Sequence, residues 1–273
     1  MLNKWLVEKQ RSSNSYSFNV IDTTELSQLD DKVRKYIAHY LLTNFRDPEF
    51  LINKYKNRSK EELKKYLKTK VFATNVDKPS KVTQQGDWGE VLSALVLNDF
   101  RNVKPLTKLR WKVNNERSMF GTDVFALEED QNGNVTKLIY CEVKTKRTYT
   151  KNIASQAYES LYRDKGRSLP DIIDFMSRIY FDKKDFETAN KLDELYHNYK
   201  KYNKEFQIFL IYEKSKWKED ILAVLDSLPP KLKNLHITVV LINNLNSIIS
   251  ETYKETIDVG VEIVHGIKTV STP

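Results

Sequence analysis

Glu142, Val143 and Lys144 close an apolar stretch, and Asp123 stands nineteen residues before Glu142. Two carboxylates and an amine at this spacing are the equipment of a metal-assisted phosphodiester hydrolase. A hard divalent cation takes one or two carboxylates and fills its other positions with water and phosphate oxygens. Mg²⁺ is therefore the expected cofactor, with Mn²⁺ as its alternative. In a strand, Lys144 shares a face with Glu142, roughly 6.5–7 Å further along. An ammonium there can orient an attacking water and offset charge building on the phosphate. The backbone carbonyl of Val143, between them, is a further candidate ligand.

A strand ending in Glu-x-Lys is common, so the tripeptide gains meaning only from the elements that position it. Asn132-Gly133 is a two-residue hairpin signal, since a type I′ turn needs positive φ at both central residues. In that hairpin residue 131 faces 134, and the same register sets Asp123 opposite Glu142 on neighbouring strands, with Cβ atoms about 5 Å apart. Like charges so placed destabilise a sheet, and a cation between them turns the penalty into a binding site. Phe125, Leu127, Leu138 and Tyr140 fall on the face of the acids, while Val124, Ala126, Ile139 and Cys141 fall on the other. A hairpin apolar on both faces is a buried one.

Gly86-Asp-Trp-Gly-Glu90 opens a third element. Trp88, Val91, Leu92, Leu95 and Val96 follow helical spacing, and Gly86 and Gly89 leave room for close backbone approach. Glu90 lies inside the apolar run, where a carboxylate either reaches solvent or faces a cation.

Acidic core helix, strand, strand opening on Asp and Glu-x-Lys strand, in that order, resembles the PD-(D/E)xK nucleases. More narrowly, Gly86-Asp-Trp-Gly-Glu90, Lys108-Leu-Arg-Trp-Lys112, Phe120-Gly-Thr-Asp123 and Cys141-Glu-Val-Lys-Thr145 resemble HamA, the nuclease subunit family of the Hachiman anti-phage system, over roughly residues 80–250. The resemblance implies a restriction-endonuclease-like core that cleaves DNA with Mg²⁺. It makes Glu90, Asp123 and Glu142 the acidic metal-site positions and Lys144 the catalytic lysine. It also implies a helicase partner of superfamily 2 type. One departure concerns the helix after the Glu-x-Lys strand, where some relatives carry Gln and Tyr four residues apart. Here Gln156 is followed at that spacing by Ser160, so Gln156 stands between an active-site contact and an ordinary helix residue. A stand-alone type II restriction endonuclease and a catalytically inactive DNA-binding adaptor are the competing functions.

Charge fits a polyanionic partner without requiring one: 45 basic against 37 acidic residues leave +8. Lys146, Arg147 and Lys151 follow the Glu-x-Lys strand with Tyr149 among them and are expected phosphate contacts. Lys54–Lys70 is the other basic run, opening on a Ser59-Lys-Glu-Glu62 capping box. Cys141 is the single cysteine, so no intrachain disulfide forms, consistent with a reducing compartment. No apolar run suggests a signal peptide or a membrane span, and the expected location is the cytoplasm. Histidines 39, 197, 236 and 265 show no zinc spacing.

The expected fold is α/β: a restriction-endonuclease-like mixed sheet flanked by helices, with a mainly helical N-terminal region over 1–78. The nuclease domain takes 79–273, with a helical insertion around 171–204. Helices are predicted over Asp30–Leu42, Asp47–Tyr55, Ser59–Lys70, Asn152–Arg163, Asp171–Tyr180, Asp185–Asn203 and Lys216–Leu228. Strands are predicted over Leu106–Val113, the hairpin, Phe206–Tyr212 and His236–Ile242, the last two forming a parallel crossover. A short strand is expected at Val259–Val264.

Overall fold

The computed structural model describes residues 1–12, 17–24, 29–72, 78–106, 108–109, 122–164, 169–228 and 232–266. The Gly121 strand start and most of the strand predicted over 106–113 lie outside them. Seven strands form one mixed sheet: β1 (Leu6–Ser12), β2 (Ser17–Thr23), β3 (Lys104–Leu106), β4 (Val124–Glu129), β5 (Val135–Lys146), β6 (Asn203–Glu213) and β7 (Leu235–Ile242). Their spatial order is β1-β2-β7-β6-β5-β4-β3. The central pairs β2–β7, β7–β6 and β6–β5 are parallel, and the flanking pairs β1–β2, β5–β4 and β4–β3 are antiparallel.

Alternation along the strands sends side chains into two cores. Val124, Ala126, Ile139, Cys141 and Val143 pack with α1 (Asp31–Phe45), α2 (Pro48–Tyr55), α3 (Lys60–Tyr66), α4 (Lys78–Arg101) and α9 (Leu245–His265). Phe125, Leu127, Leu138 and Tyr140 pack with α5 (Ile153–Asp164), α6 (Leu169–Asp182), α7 (Phe186–Asn198) and α8 (Asp220–Asp226) on the opposite face. The molecule is therefore a mixed sheet between two helical layers, as expected for the fold class.

Local chemistry explains the helix starts. Asp30 accepts from the amides of Lys32 and Val33, Asp47 from Glu49, and the Ser59–Glu62 capping box is formed in both directions. Three expectations need correction. The first 23 residues were expected to lead into helix, yet they supply β1 and β2; six of the seven β1 residues are exposed, so this edge strand has no apolar alternation to read. Val259–Val264 is helical, the last turns of α9, because Ile249, Thr252, Tyr253, Thr256, Ile257 and Gly260 continue one buried stripe. The β4–β5 turn has three residues, not two. Asp130 N–H donates to the Asn134 carbonyl, and only Gly133 has positive φ, +79°.

That third turn residue would by itself shift the hairpin by one. An irregularity between Glu128 and Glu129 shifts it back: Glu129 faces Val135, Glu128 faces Lys137, and from there to Val124–Cys141 the predicted pairing holds.

Candidate functional site

β5 places Glu142 and Lys144 where its buried stretch ends. Both point to the α5 side, and Lys144 Nζ lies 2.5 Å from Glu142 Oε1. Glu142 is almost fully buried; Lys144 keeps 28% of its side chain exposed. Asp123 stands just before β4. Its N–H donates to the Cys141 carbonyl at 3.1 Å, and its carboxylate accepts the Val143 N–H at 2.7 Å. The side chain of Asp123 is thus folded over the backbone that carries Glu142. Val143 pairs with Phe209 in the β5–β6 ladder.

Electrostatics record the crowding. Burial pushes the Glu142 carboxyl up to about 7, the negative charge of Asp123 adds to the rise, and Lys144 and a hydrogen bond with Ser160 oppose it. Ser160, noted from sequence only as a departure from a Gln/Tyr pattern, therefore reaches the acid from α5. Four-residue spacing from Gln156 was the signal that could have found it. Gln156 is exposed and lines a groove with Lys144, Glu159, Ser160, Tyr162 and Arg163.

Glu90 approaches from the other side of the sheet. Gly89 sits so close to β5 that a Cβ there would overlap Thr145 Oγ1 and lie 3.3 Å from a Val143 methyl. Gly86, by contrast, has nothing within 4 Å of a Cβ position and makes no close approach. Gln85 donates its side-chain amide to the Thr145 carbonyl, a second tie between α4 and β5. Glu90 and Asp123 line one small cavity with Asn44, Val91, Ala94, Leu106, Lys108, Leu109 and Val124. Asp87, one helical turn before Glu90, is buried as well.

The arrangement is a chain of acids rather than one cluster. Asp123 is the middle member, its charge opposing that of Glu142 on the α5 side, and it shares a cavity with Glu90 on the α4 side. Among the described residues no group of three His, Cys, Asp or Glu side chains is gathered closely enough to hold an ion. Asp123 and Glu142 are the pair whose chemistry fits a divalent cation, because two adjacent carboxylates, one of them driven towards its neutral form, are relieved by a shared positive charge.

Past the acids, Lys146 is half-buried, and burial followed by the charge of Lys144 lowers its pKa. Arg147 is held by the side chain of Asn246 at the start of α9. Lys151 is exposed. Tyr149 donates to Asp220 at 2.7 Å and carries Lys218 over its ring. Among the described residues no helix is long and apolar enough to cross a membrane.

The sequence model of the HamA family matches residues 1–256, and the chain belongs to that family. Membership supports an anti-phage protein of the Hachiman type, a defence system in which this family works with a partner. No curated protein matches the chain.

Proposed function

We propose that this HamA-family chain is a metal-dependent DNA nuclease of the PD-(D/E)xK type and the effector of an anti-phage system in which a helicase is its partner. One observation carries the reading. At the end of β5 a lysine is paired to a buried carboxylate, and a second carboxylate is anchored on the amide between them. A sheet built only for stability gains nothing from two acids so placed, since their repulsion is part of what raises Glu142.

Asp123 and Glu142 would hold Mg²⁺ or Mn²⁺, with the Val143 carbonyl as a further ligand and Glu90 supporting Asp123 from the α4 side. A bound divalent cation supplies a water acidic enough to act as nucleophile near neutral pH and positive charge for the phosphate oxygens. Glu142 must give up its proton to bind. Lys144, exposed enough to leave Glu142, then faces the attacking water and the phosphate, where an ammonium can orient the water and offset charge. Asp123 is kept in place by the Val143 amide throughout. Lys146, Arg147, Lys151 and Gln156 extend from Lys144 and would hold flanking phosphates.

The test is cleavage of linear, supercoiled and single-stranded DNA with Mg²⁺, with and without the helicase. Glu142→Ala and Lys144→Ala are expected to lower the rate by at least about 10²-fold, the scale on which removing one transition-state donor acts. Full activity in either folded variant would remove the assignment. Sequence-specific fragments without the helicase would favour a restriction endonuclease, and metal-independent DNA binding without cleavage would favour an adaptor.

A further inference from the structure

Lys108 is 3% exposed, and its ammonium donates to the carbonyl of Thr122, the residue preceding Asp123. An ammonium carries three donors, and among the described residues Thr122 is its one hydrogen-bond partner. Lys108 lines the same cavity as Glu90 and Asp123 and is the only basic side chain there among the described residues. The cavity is about 20 Å³, room for roughly one water-sized particle. A buried charge is costly unless its surroundings carry the opposite sign, and the two acids supply that sign.

Two-metal phosphodiesterases place their ions about 3.5–4 Å apart, clamping the attacking and leaving oxygens. A second ion sharing Asp123 here would have to lie on its Glu90 side, in the cavity that Lys108 lines. The two lysines of the site differ in one decisive respect. Lys144 is 28% exposed and can move away from its acid, whereas the Lys108 side chain is enclosed on the α4 side.

We propose that Lys108 is the fixed cation of the Glu90–Asp123 cavity, so that the protein binds a single divalent ion, on the Glu142 side of Asp123. This rests on the metal-site reading above. Lys108 would hold the Asp123 backbone through Thr122 while its charge stands in for a second ion.

The experiment is a Mn²⁺ titration of the full chain, read by loss of the free-ion paramagnetic resonance signal and by calorimetry. Wild type is expected to bind one equivalent, lost in Glu142→Gln. Lys108→Ala, which removes the charge and opens space, is expected to gain a second equivalent that Glu90→Gln then abolishes. Two equivalents in wild type overturn the proposal without any variant, which keeps it testable should Lys108→Ala not fold. A folded Lys108→Ala that still binds one equivalent also overturns it. Absence of Mn²⁺ binding by wild type would strike the metal reading instead, and in that case one equivalent gained by Lys108→Ala would still support the role given to Lys108.

Discussion

Glu142 is held in a state that suits a ligand better than it suits the fold. Its carboxyl is raised to about 7 by burial and then by Asp123. A carboxyl raised on folding contributes stability below its unfolded value, near 4.5, and that contribution is lost as pH rises through about 7. Glu142→Gln removes the charge while keeping the shape. In metal-free protein the variant is expected to be more stable than wild type by about 3 kcal/mol at pH 8, since the rise from 4.5 to about 7 corresponds to roughly 1.4 kcal/mol for each pKa unit. At pH 5, where folded wild type is protonated too, the difference should shrink to under about 1 kcal/mol. Urea denaturation in chelator at the two pH values measures it. Equal stability at pH 8 would mean that the acids do not strain the site. The gain in stability should accompany loss of cleavage, the usual relation between a strained site and its function.

Among the elements, α4 and the β4–β5 hairpin set the geometry, and they differ in how much of them could be read from residues. The hairpin was legible as two apolar runs around an Asn-Gly pair, and the register taken from that pair holds from Val124–Cys141 to Glu128–Lys137 because the irregularity at Glu128 and Glu129 offsets the extra turn residue. Its turn was not, because an Asn-Gly pair does not reveal that the Asp130 side chain will accept the Asn132 and Asn134 amides and draw a third residue into the loop. For α4, apolar spacing gave the helix, but only tertiary contact separates its two glycines. Gly89→Ala forces α4 away from Thr145 and Val143 and should cost about 1–3 kcal/mol, as overpacking does. It should also depress cleavage more than it depresses folding, because it displaces β5 beside Glu142 and Lys144. Gly86→Ala meets nothing and lies inside a helix, so it should be neutral or stabilising by about 0.5–1 kcal/mol. Thermal melts and cleavage rates of the pair check both; equal behaviour would show that α4 does not rest on β5 through Gly89. Ser160 was signalled only by its spacing from Gln156, and Lys108 had no assigned role, since each acts on an element other than its own.

On the scale of the molecule, a second charge cluster binds the sheet together away from the acids. Glu205, 2% exposed, takes Arg101 through two oxygens at 2.6 and 3.1 Å, with Lys137 at 3.3 Å. These residues come from β6, α4 and β5, and Glu128 of β4 joins through Lys137 at 2.9 Å. Burial pushes the Glu205 carboxyl up, but Arg101, with help from His236 and Lys137, outweighs it and holds the carboxyl below its ordinary value. A carboxyl lowered on folding contributes stability above its unfolded value and loses it as pH falls through the folded one. Arg101→Met would leave Glu205 buried without its main partner, costing about 3–5 kcal/mol at pH 7. The penalty should shrink as pH falls, because the variant's unpaired acid takes up a proton first, while wild type begins to lose the paired charge's contribution only below 4.5. Chemical denaturation of both proteins across that range decides the point. A penalty independent of pH would mean that Arg101 acts through packing of its side chain, and that α4 is fastened to the sheet by shape rather than by charge.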